Sequence, residues 1–319
     1  MTIDMFIKVD EKEINRHLET LKDGNSFIGD RFHSLFSART YFTTYSEKAE
    51  EFVVCLSESL LTSTPLLQHE LCYILGQYRN PSTRALQITL LENVIFGDFE
   101  DIVRHEAVEA LGALGGSDAL SSIIDVVYFD NDPCHLVKET CELAIGKYNH
   151  EQSNGKIKSY FNAIDPTPAH TSRNIKELEH LLIHGNSLFE KYSAIFALRD
   201  TTFELLNGTT KDKAIIINCN ETISVQLVIN TLSKGFSDSS ALLRHEIAYV
   251  FGQLSILECY DSLCTALGNK QEHPIVRHEC AEAIGSIGKI DILKDYLDDK
   301  DEIVKESCLV GLKMGGYSF

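Results

Sequence analysis

The sequence repeats itself, and this internal duplication constrains the fold more than any other feature. Residues 102–115 and 275–288 share one pattern, Ile-Val-Arg-His-Glu followed by an Ala-rich stretch that ends in glycine. Residues 66–77 match 242–253 in the same way, with a shared His-Glu pair and a closing Gly-Gln. Self-similarity of this kind is typical of repeat architectures, in which one supersecondary unit is stacked many times.

Two further pairs of segments follow the pattern without the His-Glu dipeptide. Residues 137–141 match 304–308, with Glu-Thr and Glu-Ser in the His-Glu positions, and residues 31–36 match 191–196. The chain therefore contains eight units in two sets of four, and the two middle units of each set carry His-Glu.

Each unit has the pattern of an amphipathic helix that packs closely against its neighbours. In residues 102–115, apolar side chains recur at the spacing of one helix face, namely Val103, Ala107, Ala110, Leu111 and Leu114. The closing Gly115 and Gly288 suit a left-handed helix end, and Leu-rich stretches such as 85–91 supply the partner helix. The pattern resembles HEAT repeats. We therefore predict an all-α HEAT-repeat solenoid of eight helix-pair units.

The two sets of units are separated by a polar segment rich in helix breakers. Residues 165–168 read Asp-Pro-Thr-Pro, and closely spaced prolines end helices. We therefore divide the chain into an N-terminal half (1–150), a linker (151–175) and a C-terminal half (176–319). The second half also carries extra residues at 207–221, which we predict to be a surface insertion. A fifth His-Glu pair, His150-Glu151, falls in the linker region and is predicted to be solvated surface.

The net charge and the cysteine pattern limit which partners the protein can bind and which cellular compartment it suits. The net charge of −18 argues against nucleic acid, which needs clustered lysine and arginine, and favours basic partners. No apolar run approaches membrane-spanning length, so we expect no membrane contact. The nine cysteines are odd in number and form no C-x-x-C motif, which favours a reducing compartment. We expect a cytoplasmic monomer.

The four matched His-Glu pairs carry the chemistry. Stacked repeats place equivalent side chains on one surface, so we expect each half to present two imidazoles and two carboxylates together: His69-Glu70 with His105-Glu106, and His245-Glu246 with His278-Glu279. Clustered carboxylates repel one another unless cations neutralise them. Imidazole and carboxylate without thiolate fit iron or manganese, and zinc less specifically, and two histidines with one carboxylate form the facial triad of non-haem iron oxygenases. We predict one metal per half, at the interface between the halves.

These residues resemble the deoxyhypusine hydroxylase family. The resemblance rests on the four His-Glu pairs, the duplication, the Asp165-Pro166 linker and the stretches 188–192 and 196–199. It implies a HEAT-repeat di-iron monooxygenase that uses two Fe²⁺ ions and O₂. The implied reaction hydroxylates the deoxyhypusine side chain on the basic loop of a eukaryotic translation initiation factor, the final step of hypusine formation. An external reductant is needed, and the chain has no G-x-G-x-x-G motif of its own for a nicotinamide or flavin.

The resemblance also implies a role for each residue of the pairs. It gives His69, His105 and Glu106 to one iron and His245, His278 and Glu279 to the other. Glu70 and Glu246 match positions that hold the cationic substrate, and no catalytic residue is implied beyond the metal centre. The chain departs from the pattern at Gln68, where the other pairs have arginine, and in the insertion at 207–221.

Two other classes of function remain open from the sequence. A HEAT scaffold would bind partners and use metal structurally or not at all. A dinuclear hydrolase would use a carboxylate or hydroxide bridge between the metals, and Glu70 and Glu246 are the carboxylates available for it. Metal content and oxygen consumption separate these alternatives from the monooxygenase.

Overall fold

The computed structural model describes residues 11–129, 134–208 and 223–318. Within these ranges the chain is helical and has no β-strand. Its α-helices are α1 Glu11–Lys22, α2 Ile28–Thr44, α3 Ala49–Leu60, α4 Pro65–Gln77, α5 Arg84–Ile95, α6 Asp101–Leu114, α7 Gly116–Phe129, α8 His135–Asn154, α9 Ile175–His184, α10 Leu188–Asn207, α11 Val225–Ser233, α12 Ala241–Leu254, α13 Tyr260–Gly268, α14 Pro274–Ile287 and α15 Glu302–Met314. Short 3₁₀ helices lie at Ser46–Lys48, Lys234–Ser237, Leu257–Cys259 and Ile290–Tyr296. The predicted all-α fold is confirmed.

The helices form an inner and an outer layer, and the inner layer closes on itself. Each inner helix packs against the next, in the order α2, α4, α6, α8, α10, α12, α14 and α15. Helix α15 then contacts α2 and α4, so the two ends of the array meet. Across this seam Thr64 donates a hydrogen bond to Glu306 (2.7 Å) and Lys313 pairs with Asp30 (2.8 Å). The central helices α4 and α6 thereby face α12 and α14.

Small residues allow the inner helices to approach closely, as the sequence pattern indicates. A Cβ atom added to Gly76 would lie 2.6 Å from the Cα of Ala110, and one added to Gly285 would lie 2.5 Å from the Cα of Gly311. Gly115 and Gly288 end their helices with φ of +66° and +82°, in the region that glycine adopts at little cost. The predicted left-handed helix end is confirmed at Gly288, whereas Gly115 combines its positive φ with an extended ψ of −170°.

The residue before three of the four His-Glu pairs ties its helix to the preceding outer helix, whereas Arg244, before the fourth pair, bonds Glu272 and the carbonyls of Asp238 and Ser239. Arg104 and Arg277 donate through Nε to the carbonyls of Ile95 and Leu267, both at 2.9 Å. Gln68 uses its amide to reach the carbonyl of Leu60 at 3.0 Å, so the departure from arginine keeps the contact. These bonds satisfy carbonyls that a helix end leaves without an intrahelical partner.

The linker begins later than the sequence indicates, because α8 continues to Asn154. The predicted linker pair His150-Glu151 therefore lies in the last turns of α8, where Glu151 accepts a hydrogen bond from Lys147 (2.7 Å). Non-helical residues 155–174 connect α8 to α9. The predicted insertion lies outside the described residues apart from its first two. Of the helices described, none has the length and apolar character to cross a membrane.

Candidate metal centre

The four His-Glu pairs occupy the inner helices at the centre of the ring. They lie on α4, α6, α12 and α14, and each helix turns its pair towards the helices of the other half. All eight side chains are buried, and His105 and His278 have no exposed surface. Folding therefore brings together the pairs that the sequence singles out, and it buries them.

The imidazole rings form one cluster across the two halves. Within each half, the ring centroids are 5.4 Å apart, for His69 and His105 and for His245 and His278. Between the halves, the rings of His69 and His278 are 5.3 Å apart and those of His105 and His245 are 5.9 Å apart. The spacing between halves is thus about the same as that within a half.

Two sets of donor atoms are compact enough to hold a metal ion. His69, His105 and Glu106 offer donors within 4.8 Å of one another, and this is one of the two sets that the resemblance implies. The second compact set joins His69 to His245 and His278 and so mixes the halves. Glu279 contacts His245 at 3.4 Å, and Glu106 contacts His69 at 3.3 Å, so the two carboxylates occupy matching places. The assignment of one ligand set to each half stays a prediction.

The ring nitrogens fit a metal because most of them form no hydrogen bond with the described residues. Both nitrogens of His69, His105 and His278 and Nε2 of His245 are buried without a hydrogen-bond partner in the described parts of the chain, and nearby carboxylates such as Glu106, 3.3 Å from His69, do not reach hydrogen-bond geometry. A buried polar atom without a partner costs free energy, on the order of 1–3 kcal/mol each. Structures avoid such atoms unless a ligand or ion satisfies them. The donor set therefore suits a cation that accepts imidazole and carboxylate ligands.

The electrostatics of the cluster favour the binding of a cation. Burial, and then the neighbouring imidazoles, lower the pKa of His105 and of His278 well below its usual value, which leaves both rings neutral. Burial would also lower the pKa of His69, but Glu106 and Glu70 outweigh it and raise that pKa well above normal. Burial, and then Glu109, raise the pKa of Glu246 well above normal. A bound cation would stabilise the ionised form of these carboxylates.

A cavity of about 280 Å³ lies against the histidine cluster. Glu70 and Glu246, the predicted substrate residues, both line it, as do the phenol rings of Tyr73 and Tyr249. The two phenol oxygens are 3.2 Å apart and join α4 to α12. The cavity is therefore acidic at the metal cluster and bounded by aromatic rings one helical turn away.

Glu109 and Glu282 are site residues that sequence reasoning missed. Both line the same cavity, and Glu282 accepts a hydrogen bond from Ser307 at 3.2 Å. Burial, and then Glu106, raise the pKa of Glu109 to about 8. The duplication holds the signal that could have found them, because each lies four residues after a matched histidine in both copies.

Two family models match parts of the chain. A model of HEAT repeats matches residues 229–313, and one described as a PBS lyase HEAT-like repeat matches residues 103–127. The first match covers α12 and α14 and the second begins in α6, so both include helices of the site. These matches support the HEAT-repeat architecture in both halves.

Proteins similar over nearly the whole chain share one name. Deoxyhypusine hydroxylase of Saccharomyces cerevisiae is 38% identical over 312 residues, which cover 93% of this chain and 88% of the relative. Deoxyhypusine hydroxylase of Aspergillus clavatus is 36% identical over 307 residues, which cover 91% and 86%. The solved structure of human deoxyhypusine hydroxylase in complex with glycerol matches with a TM-score of 0.79 and 32% identity, over 96% of each chain. With this identity and this fold, the chain belongs to the deoxyhypusine hydroxylase family.

Proposed function

We propose that this protein is a di-iron monooxygenase that hydroxylates the deoxyhypusine side chain of a eukaryotic translation initiation factor. The observation that carries the proposal is the convergence of four buried His-Glu pairs, in which seven of the eight ring nitrogens have no hydrogen-bond partner among the described residues. Membership of the hydroxylase family supports the reaction type. The site supports the cofactor, since imidazole and carboxylate donors suit non-haem iron.

The proposed ligands are His69, His105 and Glu106 for one iron, and His245, His278 and Glu279 for the other. Bound ferrous ions would supply the electrons and the open coordination positions that O₂ chemistry requires. The protein would hold the ligands in fixed positions, because α4, α6, α12 and α14 are packed on both sides by other inner helices. A rigid and buried ligand set would keep coordination positions of the bound ions available to O₂ and to a substrate that enters through the cavity.

Glu70 and Glu246 are proposed to bind the substrate. Deoxyhypusine carries ammonium groups on an aliphatic tail, and carboxylates form charge-assisted hydrogen bonds with ammonium groups. Both glutamates line the cavity beside the histidine cluster. Their position would place the tail against the metal centre, and the aromatic walls from Tyr73 and Tyr249 would contact its aliphatic part. The net charge of −18 would also steer a basic protein towards the enzyme.

Mass analysis of the deoxyhypusine-bearing protein tests the proposed reaction. After aerobic incubation with iron-loaded enzyme and a reductant, the substrate should gain one oxygen atom, and this atom should come from labelled O₂. An anaerobic incubation is the control and should leave the mass unchanged. A substrate that stays unmodified in the presence of O₂, iron and reductant would refute the proposal. Turnover without oxygen consumption would instead favour the dinuclear hydrolase.

A further inference from the structure

The duplication gives the central cavity two equivalent ends, and their residues can be matched through the repeats. The match of residues 31–36 with 191–196 continues to Arg39 and Arg199, because Phe36-Ser-Ala-Arg corresponds to Phe196-Ala-Leu-Arg. The match of residues 137–141 with 304–308 continues to Lys147 and Met314. One end of the cavity thus lies at α2 and α15, and its counterpart lies at α10 and α8.

The linker fills the end at α10 and α8. Asp165 accepts two hydrogen bonds from Arg199, at 2.8 and 2.7 Å. The rings of Phe161 and Phe196 lie on the Arg199 guanidinium, each with its centroid 4.6 Å from Cζ. Arg199 is 0% exposed, because the linker encloses it together with Phe196, Asp200 and Gln253.

Other linker residues occupy the space beside it. Ile164 and Pro166 line a small cavity together with Glu109, Ala113 and Lys147, and only about 10 Å³ is left there. The backbone N–H of Ile164 also donates to Gln77 at 3.0 Å, which holds the linker to α4. Little room remains for a ligand at this end.

The matching end at α2 and α15 is open. Ser286 and Met314, which correspond to Ala113 and Lys147, line the cavity of about 280 Å³ instead, and Glu282 lines it as its counterpart Glu109 also does. Phe36 and Met314 also line it and are 39% and 56% exposed, which is unusual for large apolar side chains. They form the rim of an entrance that leads directly to Glu70 and Glu246.

Arg39 lies in the groove next to this entrance, without the carboxylate that its counterpart has. Within the described parts of the chain, its guanidinium has no hydrogen-bond acceptor and no ion pair, whereas Arg199 has Asp165 and Asp200. Arg39 lines a second, polar groove of about 570 Å³ that meets the rim at Phe36. The linker segment 161–164 forms the far wall of this groove.

We propose that the polypeptide carrying the modified lysine docks at the entrance between Phe36 and Met314 and along the adjoining groove at Arg39. This polypeptide would fill the end at α2 and α15 as the linker fills the end at α10 and α8. The Arg39 guanidinium would donate a hydrogen bond to an oxygen of the extended segment that flanks the modified residue. The linker thereby blocks one of the two matching ends of the cavity. The cationic side chain therefore enters at the other end, between α2 and α15. This proposal rests on the proposed function, since it names the path of that substrate.

A positive charge introduced at the rim tests the direction of entry. Met314→Arg places a cation at the entrance and should weaken binding of the deoxyhypusine-bearing protein at least about tenfold by repulsion of the entering ammonium groups. Leu257→Arg is the matched control, because Leu257 is 62% exposed on the outer surface, and its binding should equal that of the wild type. Binding is measured by calorimetry on iron-loaded protein. Equal iron content and melting temperature show that both variants are folded.

Arg39→Met tests the contact with the flanking segment. It should raise KM for the modified protein several-fold and leave kcat near the wild-type value, because Arg39 lies outside the metal cluster. Arg16→Met is the control, since that side chain is 72% exposed on α1. Wild-type binding and KM in both Met314→Arg and Arg39→Met would overturn the proposed entrance. A wild-type enzyme that binds the modified protein but adds no oxygen would refute the proposed function alone.

Discussion

At the scale of single residues, the duplication separates the carboxylates of the site into two kinds. Glu106 and Glu279 reach the histidine of the neighbouring helix in their own half, at 3.3 and 3.4 Å. Glu70 and Glu246 directly follow those histidines on the same helices, and all four carboxylates line the cavity. The matching geometry in the two halves supports one role for each kind, with metal for the first and substrate for the second.

Isosteric substitutions should separate these roles. Glu70→Gln and Glu246→Gln remove a charge from the proposed ammonium site, so we expect KM for the modified protein to rise about tenfold or more. Iron content should stay near that of the wild type. Glu106→Gln and Glu279→Gln are the matched comparison and should lose iron. Metal analysis and steady-state kinetics of the four variants give the answer, and equal loss of iron in all four would contradict the division of roles.

At the scale of helices, α14 and α15 approach each other closely at Gly285 and Gly311. Gly285→Ala would place a Cβ atom 2.5 Å from the Cα of Gly311, so the helices must separate. We expect a loss of about 1–3 kcal/mol in the free energy of unfolding, as for other overpacked cores.

Gly252→Ala is the control for this substitution. Its Cβ atom would lie 3.4 Å from Ala283, in ordinary contact, and alanine improves helix propensity by about 1 kcal/mol. Its stability should therefore equal or exceed that of the wild type. Chemical denaturation of both variants measures the difference. A Gly285→Ala protein as stable as the wild type would show that α14 and α15 pack less tightly than described.

The seam between α15 and α4 should make stability depend on pH. Burial raises the pKa of Glu306, although Thr64 donates a hydrogen bond to it. The folded state then holds this proton to a higher pH than the unfolded state, so the group destabilises the fold as pH rises above the unfolded pKa. Glu306→Gln keeps an acceptor for Thr64 and removes the charge. It should raise Tm at pH 8 by about 1–2 °C, and the difference should vanish at pH 4. A constant difference across this range would rule out the titration of Glu306 as its cause.

At the scale of the whole molecule, the site joins the two ends of a long array. The halves meet at the α15–α2 seam, at the linker and at the histidine cluster. Metal bound by donors from both halves would stabilise the closed ring, since it binds only the folded form. We expect metal at 100 times its Kd to add about 2.7 kcal/mol to the free energy of unfolding. Calorimetry with and without a chelator measures this, and an unchanged Tm would contradict it.

The repeats predicted the helical fold and the cluster of His-Glu pairs, because both depend on local patterns. Three features depend on contacts that no local pattern encodes. The α15–α2 seam joins residues from opposite ends of the chain. The pairing of Asp165 with Arg199 depends on the path of a non-helical linker. The compact set of His69 with His245 and His278 depends on how closely the halves approach. Glu109 and Glu282, by contrast, were within reach of a fuller comparison of the two copies.

Iron content after anaerobic reconstitution tests most directly whether the matched pairs form one metal site. The wild type should bind about two irons per chain, and His105→Ala and His278→Ala should each bind about one. Removal of a histidine from either half should then abolish hydroxylation. A wild-type protein that binds no iron, and melts at the same temperature with and without it, would contradict the account.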